Sequence, residues 1–232
     1  MRQPTGRFDF SHPPQAPLRR AVFLDKDGTL VENVPYNVDP AKLRFTPKAI
    51  EGLKLLLDQG YLLFIITNQS GLARGLFTRA DFARLQAALT GLLLEQGIAI
   101  TDVYLCPHAP PAEKLGPGCL CRKPSPGMLH QAATAHRIDL SRSWMIGDIL
   151  DDVEAGRRAG CRSVLMDVGN ETEWRMSPLR EPQVRAKTLL EAAEAILATE
   201  LVNRPDDANS PNGDPVLFGL VPPQPGLLGL PL

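Results

Sequence analysis

Short apolar runs alternate with amphipathic segments through the middle of the chain, and this alternation predicts its main elements. The apolar runs predict five strands, at residues 20–25, 61–67, 102–105, 143–148 and 162–168. The amphipathic segments predict five helices, at residues 47–59, 79–96, about 125–137, 150–159 and 184–200. Apolar runs separated by helices are typical of βαβ units with a mostly parallel sheet.

Helix-end signals support several of these boundaries. Pro47 stands at the start of the first predicted helix and Gly60 just past its end. Thr78 is the residue type favoured as an N-cap for the second helix, and Gly97 follows that helix. Gly160 closes the helix at 150–159 in the same way.

The predicted fold class is α/β: a three-layer Rossmann-like domain with helices on both faces of the sheet. We expect this domain to occupy residues 19–201. Residues 1–18 are rich in proline and predict a flexible arm, and residues 202–232 predict a disordered tail rich in proline and glycine. In such sheets ligands bind beyond the carboxyl ends of the strands, so the chemistry is expected there.

Composition narrows the possible partners. The 232 residues carry a formal net charge of −1 and show no basic stripe, which argues against a nucleic-acid partner. No uncharged apolar run reaches the roughly 18–20 residues that span a bilayer, and the N-terminus lacks the apolar core of a secretory signal. We therefore expect a cytoplasmic protein with no membrane partner, acting as a monomer on a small molecule.

A carboxylate pair follows the first predicted strand, in the sequence Asp25-Lys26-Asp27-Gly28-Thr29. Two carboxylates this close on a turn repel each other unless a cation lies between them, and oxygen ligands of this kind suit Mg²⁺. Gly28 would let the backbone approach a phosphate closely. An acidic turn on the surface is the alternative for this segment taken alone.

Further polar residues follow other strands or precede a helix. Thr67 ends the second strand and Asn68 follows it, and they offer a hydroxyl and an amide to phosphate oxygens, while Asp148 ends the fourth strand. Lys123 precedes the third helix, where a fixed cation could neutralise phosphate. Each has a plain alternative as a turn or a solvated charge, but their common position at strand and loop ends predicts one phosphate-handling site.

The motifs DKDGT, TN, a lysine before a helix, and GDxxxD, in this order, resemble the haloacid-dehalogenase-like (HAD) phosphohydrolase superfamily over about residues 20–170. This resemblance implies that Asp25 is the nucleophile and Asp27 the general acid and base. It implies that Thr67 orients the phosphoryl group and that Lys123 stabilises its charge. Catalytic Mg²⁺ would then be held by Asp25, Asp148 and the backbone carbonyl of Asp27. Asp152 corresponds to the second acid of GDxxxD, which supports the site.

Four metal-ligating side chains flank a loop rich in proline and glycine, in the pairs Cys106 with His108 and Cys119 with Cys121. Residues i and i+2 of an extended chain point to the same side, so each pair presents two ligands together. Three cysteines and one histidine form a closed tetrahedral set for structural Zn²⁺. Core thiols and a disulfide are the alternatives. Cys161 is expected to be buried.

The cysteine pattern together with TNQSGLARGLF and CRKPxPGML narrows the resemblance to the D-glycero-D-manno-heptose 1,7-bisphosphate 7-phosphatase group, over residues 22–166. The histidinol-phosphatase domain is a close relative of this group. By position, the resemblance implies the following substrate contacts: Asn33, Tyr36, Thr67, Asn68, Gln69, Ser70, Arg122 and Lys123. The segment VENVPYNVDP and Ile149, which replaces a lysine found in some members, depart from the group's pattern.

The expected function is that of a phosphatase acting on a sugar bisphosphate, in a site without a large cap domain because no large insertion follows Asp27 or Asp148. A histidinol-phosphate phosphatase on the same scaffold is one alternative, and a catalytically inactive, zinc-stabilised binding module is another. Arg74 and Arg122 could hold a second phosphate, although Arg74 could equally be a solvated loop cation.

Overall fold

The computed structural model describes residues 17–111 and 119–202. The strands are β1 (Ala21–Leu24), β2 (Leu62–Asn68), β3 (Asp102–Cys106), β4 (Trp144–Gly147), β5 (Arg162–Met166) and β6 (Val184–Ala186). The helices are α1 (Ala49–Asp58), α2 (Arg79–Glu95), α3 (Gly127–His136), α4 (Leu150–Ala159) and α5 (Leu189–Val202). Short 3-10 helices occur at Pro40–Lys42 and Leu140–Arg142.

The strands form one sheet in the order β3-β2-β1-β4-β5-β6. Every strand pairing among the described residues is parallel, and β1 lies between β2 and β4. The parallel α/β fold expected from the sequence is confirmed. This order also places the carboxyl ends of β1, β2 and β4 side by side at one edge of the sheet.

The side chains of β1 alternate between the two faces of the sheet, and both faces are buried. Val22 and Leu24 pack in a cluster that includes apolar side chains of α1, α2 and α5. Ala21 and Phe23 point to the other face, where the cluster includes side chains of α3 and α4. Because both faces of β1 are covered, each of its residues is apolar, and the three-layer arrangement follows.

The other helix-end signals act as predicted, but Pro47 does not begin a helix: α1 starts at Ala49, with Lys48 as its N-cap. Thr78 caps α2 by accepting a hydrogen bond from Asp81 N, and the Asp81 side chain accepts one from Thr78 N in return. Gly60, Gly97 and Gly160 follow their helices with positive φ angles of 78°, 77° and 88°.

The prediction of one helix over residues 184–200 was wrong at its start. Val184–Ala186 forms the edge strand β6, which pairs with β5 through Met166 and Ala186, and α5 begins only at Leu189. Three residues are too few to show the alternating pattern of a strand in the sequence. They are extended because they pair with the free edge of β5, and this tertiary contact is not visible in the local sequence. The helix expected from about residue 125 begins at Gly127.

The connections where a cap could enter are short or compact. Only Asp148 and Ile149 separate β4 from α4, and residues 25–48, between β1 and α1, contain the short 3-10 helix at Pro40–Lys42. The predicted absence of a large cap is therefore confirmed for these two connections. Of the predicted arm at 1–18 and tail at 202–232, residues 1–16 and 203–232 lie outside the described residues. No helix in the described part of the chain is long and apolar enough to cross a membrane.

Candidate active site

The carboxyl edge of the sheet borders a cleft of about 390 Å³. It is lined by every residue that the sequence analysis assigned to catalysis, substrate or magnesium: Asp25, Asp27, Asn33, Tyr36, Thr67, Asn68, Gln69, Ser70, Arg122, Lys123 and Asp148. Asp25 directly follows β1, and Asp148 directly follows β4. Because β1 and β4 are adjacent and parallel, these two carboxylates are brought to the same place.

Lys123 lies at the centre of the buried part of this cleft. Its Nζ is 2.5 Å from Asp25 Oδ1 and 2.6 Å from Asp152 Oδ1, and it donates a 2.9 Å hydrogen bond to the carbonyl of Ile66. The side chain is only 2% exposed. The Asn68 side chain fixes the Lys123 backbone by donating to its carbonyl and accepting from its N–H, at 3.2 and 3.1 Å.

Burial dominates the electrostatics of the site. It raises the pKa of Asp25 to about 7, helped by the charges of Asp152 and Asp27 and opposed by Lys123. Burial likewise raises the pKa of Asp148 and of Asp152, each to about 6. For Lys123, burial lowers the pKa, but the two carboxylates that contact it outweigh this and raise it overall. The site thus gathers more negative charge than one lysine neutralises.

The donor set fits a divalent cation with a preference for oxygen. Carboxylate oxygens of Asp25, Asp148 and Asp152 lie within 4.8 Å of one another, and all three residues are buried. Hard oxygen ligands with an excess of negative charge are what Mg²⁺ binds in proteins. Two of the expected magnesium ligands, Asp25 and Asp148, are therefore in place together. Asp152 is not one of the expected ligands, although it is paired with Lys123 as Asp25 is.

Asp27 occupies a different environment from Asp25. Its Oδ2 accepts a 2.9 Å hydrogen bond from the Gln69 amide, and its Oδ1 lies 3.0 Å from Lys26 Nζ. The side chain of Asp27 is 30% exposed, whereas that of Asp25 is 12% exposed. Gln69 also donates to Thr67 Oγ1 at 2.8 Å, so it joins two of the expected catalytic residues. Asp27 is positioned by two neighbours while it stays accessible from the cleft.

The expected substrate residues lie at the end of β2, where Thr67 and Asn68 belong to the strand, and on three loops around the cleft. Tyr36, with a φ angle of 53°, belongs to the loop after β1, and its hydroxyl accepts a hydrogen bond from Arg74. The Arg74 guanidinium also lies 5.4 Å from the centre of the Tyr36 ring. Arg122 donates a 3.1 Å hydrogen bond to the carbonyl of His108, which connects the cleft to the cysteine loop.

The four predicted zinc ligands converge. Cys106 Sγ lies 3.6 Å from Cys119 Sγ and 3.2 Å from Cys121 Sγ. His108 Nδ1 lies 3.5 Å from Cys106 Sγ and 3.3 Å from Cys121 Sγ. Separations of this size are near the edges of a tetrahedron around a metal with bonds of about 2.0–2.3 Å. Residues 112–118, between the two ligand pairs, lie outside the described residues.

Sequence reasoning missed three side chains at the site: Lys26, Thr29 and Asn170. Thr29 Oγ1 donates to Asp148 Oδ1 at 3.3 Å, and Asn170 Nδ2 donates to Asp148 Oδ2 at 2.8 Å. Asn170 was not singled out because the Gly169-Asn170 pair resembles an ordinary turn. Its position on the loop after β5 was a usable signal, since that loop leaves the same edge of the sheet.

The backbone at Gly28 lies close to the side chains of Asp148 and Asn170. A Cβ atom there would lie 2.1 Å from Asp148 Oδ2 and 2.6 Å from Asn170 Nδ2. The backbone of Gly28, with a φ angle of 90°, is therefore packed against the carboxylate of Asp148.

The sequence of this chain is similar to those of known phosphatases. Residues 120–192 match a family model described as HAD-hydrolase-like. The chain is 40% identical over 156 residues to a D-glycero-alpha-D-manno-heptose-1,7-bisphosphate 7-phosphatase of Photorhabdus laumondii, covering 66% of this chain and 85% of that protein. It is 34% identical over 180 residues to a D-glycero-beta-D-manno-heptose-1,7-bisphosphate 7-phosphatase of Pseudomonas aeruginosa, covering 77% of this chain and 98% of that protein.

A solved structure of a heptose bisphosphate phosphatase has a similar fold. The D,D-heptose 1,7-bisphosphate phosphatase from B. bronchiseptica, complexed with magnesium and phosphate, is 28% identical and superposes with a TM-score of 0.65. The match covers 78% of this chain and 99% of that one.

Proposed function

Since this chain belongs to the heptose-1,7-bisphosphate 7-phosphatase family of HAD-like hydrolases, we propose that it removes the 7-phosphate of D-glycero-D-manno-heptose 1,7-bisphosphate through an aspartyl-phosphate on Asp25. The observation that carries this proposal is the buried cluster of Asp25, Lys123 and Asp148 in a cleft also lined by Thr67 and Asn68. The choice of this sugar as the substrate is based on the names of the relatives.

In the first step, a carboxylate oxygen of Asp25 attacks phosphorus and the bond from phosphorus to the sugar oxygen breaks. The ion pair with Lys123 keeps Asp25 oriented and adds a fixed cation where negative charge develops on the phosphoryl oxygens. Thr67 Oγ1 and the Asn68 side chain line the same cleft and can orient those oxygens.

Asp27 handles the protons. It protonates the leaving sugar oxygen and then takes a proton from the water that attacks the aspartyl-phosphate, which releases inorganic phosphate and restores Asp25. Its contacts with Gln69 and Lys26 hold its carboxylate in the cleft. Proton transfer of this kind contributes about 10²–10⁴-fold in rate.

Magnesium is the cofactor that the three buried carboxylates favour. Asp25 and Asp148 would hold it with their side chains and Asp27 with its backbone carbonyl. When bound, Mg²⁺ acts as a Lewis acid that neutralises charge on the transferring phosphoryl group. The ion would also offset the burial and the neighbouring carboxylate charges that raise the pKa of Asp25 and of Asp148.

The second metal in this proposal is a structural zinc ion bound by Cys106, His108, Cys119 and Cys121. Four protein ligands leave no open coordination position, so its role is to hold the loop and not to catalyse. The hydrogen bond from Arg122 to the carbonyl of His108 gives the loop a connection to the cleft.

The part of the substrate outside the transferred phosphate also needs contacts. We assign these contacts to Arg122, Tyr36 and Asn33, which line the cleft.

Phosphate release from purified protein tests the proposal. The substrates are the α and β anomers of D-glycero-D-manno-heptose 1,7-bisphosphate and histidinol phosphate, each with Mg²⁺ and with EDTA, and ³¹P NMR identifies which phosphate remains. We expect Mg²⁺-dependent loss of the 7-phosphate at a kcat/KM at least tenfold above that for histidinol phosphate. The Asp25→Asn variant should lose activity by at least roughly 10³-fold while staying folded. Faster hydrolysis of histidinol phosphate, or turnover by Asp25→Asn close to wild type, would overturn the assignment.

A further inference from the structure

The loop between β5 and β6 reaches back to the magnesium site. Asn170, on this loop, donates a 2.8 Å hydrogen bond from Nδ2 to Asp148 Oδ2. The same amide nitrogen would be 2.6 Å from a Cβ placed on Gly28, so Asn170, Gly28 and Asp148 are in close contact. Asn170 belongs to none of the motifs that identify the family from the sequence.

We propose that Asn170 is a positioning residue that fixes the carboxylate of Asp148 for magnesium, a role that rests on the proposed function. A carboxylate has about four acceptor positions on its two oxygens. The Asn170 amide uses one position on Oδ2, and Thr29 Oγ1, 3.3 Å from Oδ1, uses one on the other oxygen. Lone pairs remain on the carboxylate for a metal ion, while its rotation is restricted.

An amide suits this task better than a cation would. A lysine or arginine beside Asp148 would neutralise the carboxylate and compete with the metal ion for it. The Asn170 amide donates a hydrogen bond but leaves the negative charge in place. Asp148 also needs this restraint, because carboxylate oxygens of Asp25 and Asp148 lie within 4.8 Å of each other and their repulsion opposes this arrangement until a cation binds.

Hydrogen bonds and ion pairs connect the β5–β6 loop, which carries Asn170, to α4. Glu171 Oε2 accepts a 2.7 Å hydrogen bond from the backbone N of Leu150, the first residue of α4. Further along, Arg180 lies 2.7 Å from Asp151 Oδ1 and 2.6 Å from Glu154 Oε2. Because α4 begins two residues after Asp148, these contacts fix the position of Asn170 relative to Asp148.

Calorimetric titration of the full chain with Mg²⁺, after removal of Mg²⁺ but with zinc retained and without substrate, tests this role. Asn170→Leu keeps a side chain of similar size but removes the donor. We expect it to weaken Mg²⁺ binding by about 10–100-fold, as loss of a hydrogen bond to a metal ligand does elsewhere. Thr172→Ala, at an exposed position of the same loop, is the matched control and should bind Mg²⁺ like the wild type.

Two further measurements separate positioning from a general structural role. Without added Mg²⁺, and with zinc retained, Asn170→Leu should melt within a few degrees of the wild type. Its activity should approach that of the wild type as Mg²⁺ is raised, with the KM for the sugar phosphate little changed. If Asn170→Leu fails to fold, Asn170→Ala carries the same test. Mg²⁺ binding within twofold of wild type in the folded variant would overturn the role of Asn170 alone. A wild-type protein that binds no Mg²⁺ would instead overturn the proposed metal centre, and this role with it.

Discussion

The ammonium of Lys123 lies 2.5 Å from the carboxylate of Asp25, although the two residues are 98 positions apart in the chain. The contact exists because β1 carries Asp25 to the edge of the sheet and Asn68, at the end of the neighbouring β2, holds the backbone of Lys123. The same ammonium also contacts Asp152, at 2.6 Å. One buried cation thus holds two carboxylates from different elements together.

Replacing Lys123 by methionine should destabilise the protein strongly. The change leaves Asp25 and Asp152 buried without their cation, and breaking a buried ion pair in this way costs about 3–5 kcal/mol. The loss in free energy of unfolding, measured by urea denaturation in EDTA, should be smaller at pH 5.5 than at pH 7.5, because the carboxyl groups can then take up protons. Lys54→Met, at an exposed position of α1, is the control and should change stability by less than about 0.5 kcal/mol. Similar losses for the two variants would contradict this account of Lys123.

The metal-free protein should lose stability as the pH rises from about 4 to 7. Burial raises the pKa of Asp25 to about 7 and those of Asp148 and Asp152 to about 6, above the ordinary value of 3.8. At these three carboxyl groups the folded chain therefore binds more protons than the unfolded chain, and their contribution to stability falls with increasing pH. Melting temperatures in EDTA at pH 5.5 and 7.5 measure the effect.

Magnesium should counteract this pH dependence of stability, because it binds the ionised carboxylates and not the protonated ones. We expect the rise in melting temperature caused by saturating Mg²⁺ to be larger at pH 7.5 than at pH 5.5. An equal rise at both pH values would mean that the metal does not bind at the titrating carboxylates.

Much of this site follows from the sequence because its residues lie at strand ends. Asp25, Thr67 and Asp148 each follow or end an apolar run, and the rule that parallel strands gather their carboxyl ends brings them together without further information. Lys123 has no strand of its own. Its position depends on Asn68, whose side chain bonds to the Lys123 backbone across 55 positions of the chain.

The features that the sequence did not predict depend on contacts at a distance. Strand β6 forms because β5 offers a free edge, and nothing in Val184–Ala186 itself distinguishes a strand from the start of a helix. Asn170 acquires a role only when the β5–β6 loop packs against α4. In both cases the local sequence allows several conformations, and the tertiary neighbour selects one.

Removing one zinc ligand should release the ion from the cysteine loop. For Cys121→Ser, whose Sγ lies 3.2 Å from Cys106 Sγ, we expect the zinc content to fall from about one ion per chain to well below half, together with a lower melting temperature. Structural zinc contributes directly to folding in such sites. Cys161→Ser is the control: its thiol is buried and does not belong to the group of converging ligands, so it should leave the zinc content unchanged. Metal analysis after dialysis gives the result, and zinc retained in full by Cys121→Ser would exclude the proposed ligand set.

Two glycines with similar backbone conformations allow the crowding at Asp148 to be measured separately from backbone strain. Gly28 and Gly60 have φ angles of 90° and 78°, so alanine at either position carries a comparable strain of about 1–2 kcal/mol. A Cβ at Gly28 would lie 2.1 Å from Asp148 Oδ2, whereas a Cβ at Gly60 meets nothing within 4 Å. Gly28→Ala must therefore displace the carboxylate of Asp148, and Gly60→Ala need not move any neighbour.

We expect both variants to lose a similar amount of stability from strain in EDTA, with some additional loss for Gly28→Ala. Only Gly28→Ala should weaken Mg²⁺ binding, by about tenfold or more, because an altered Asp148 no longer presents its oxygen beside Asp25. Calorimetric Mg²⁺ titration of both variants measures the difference. Equal Mg²⁺ affinity in Gly28→Ala and Gly60→Ala would show that the metal centre tolerates a displaced Asp148, in which case the close packing at Gly28 serves the fold and not the metal.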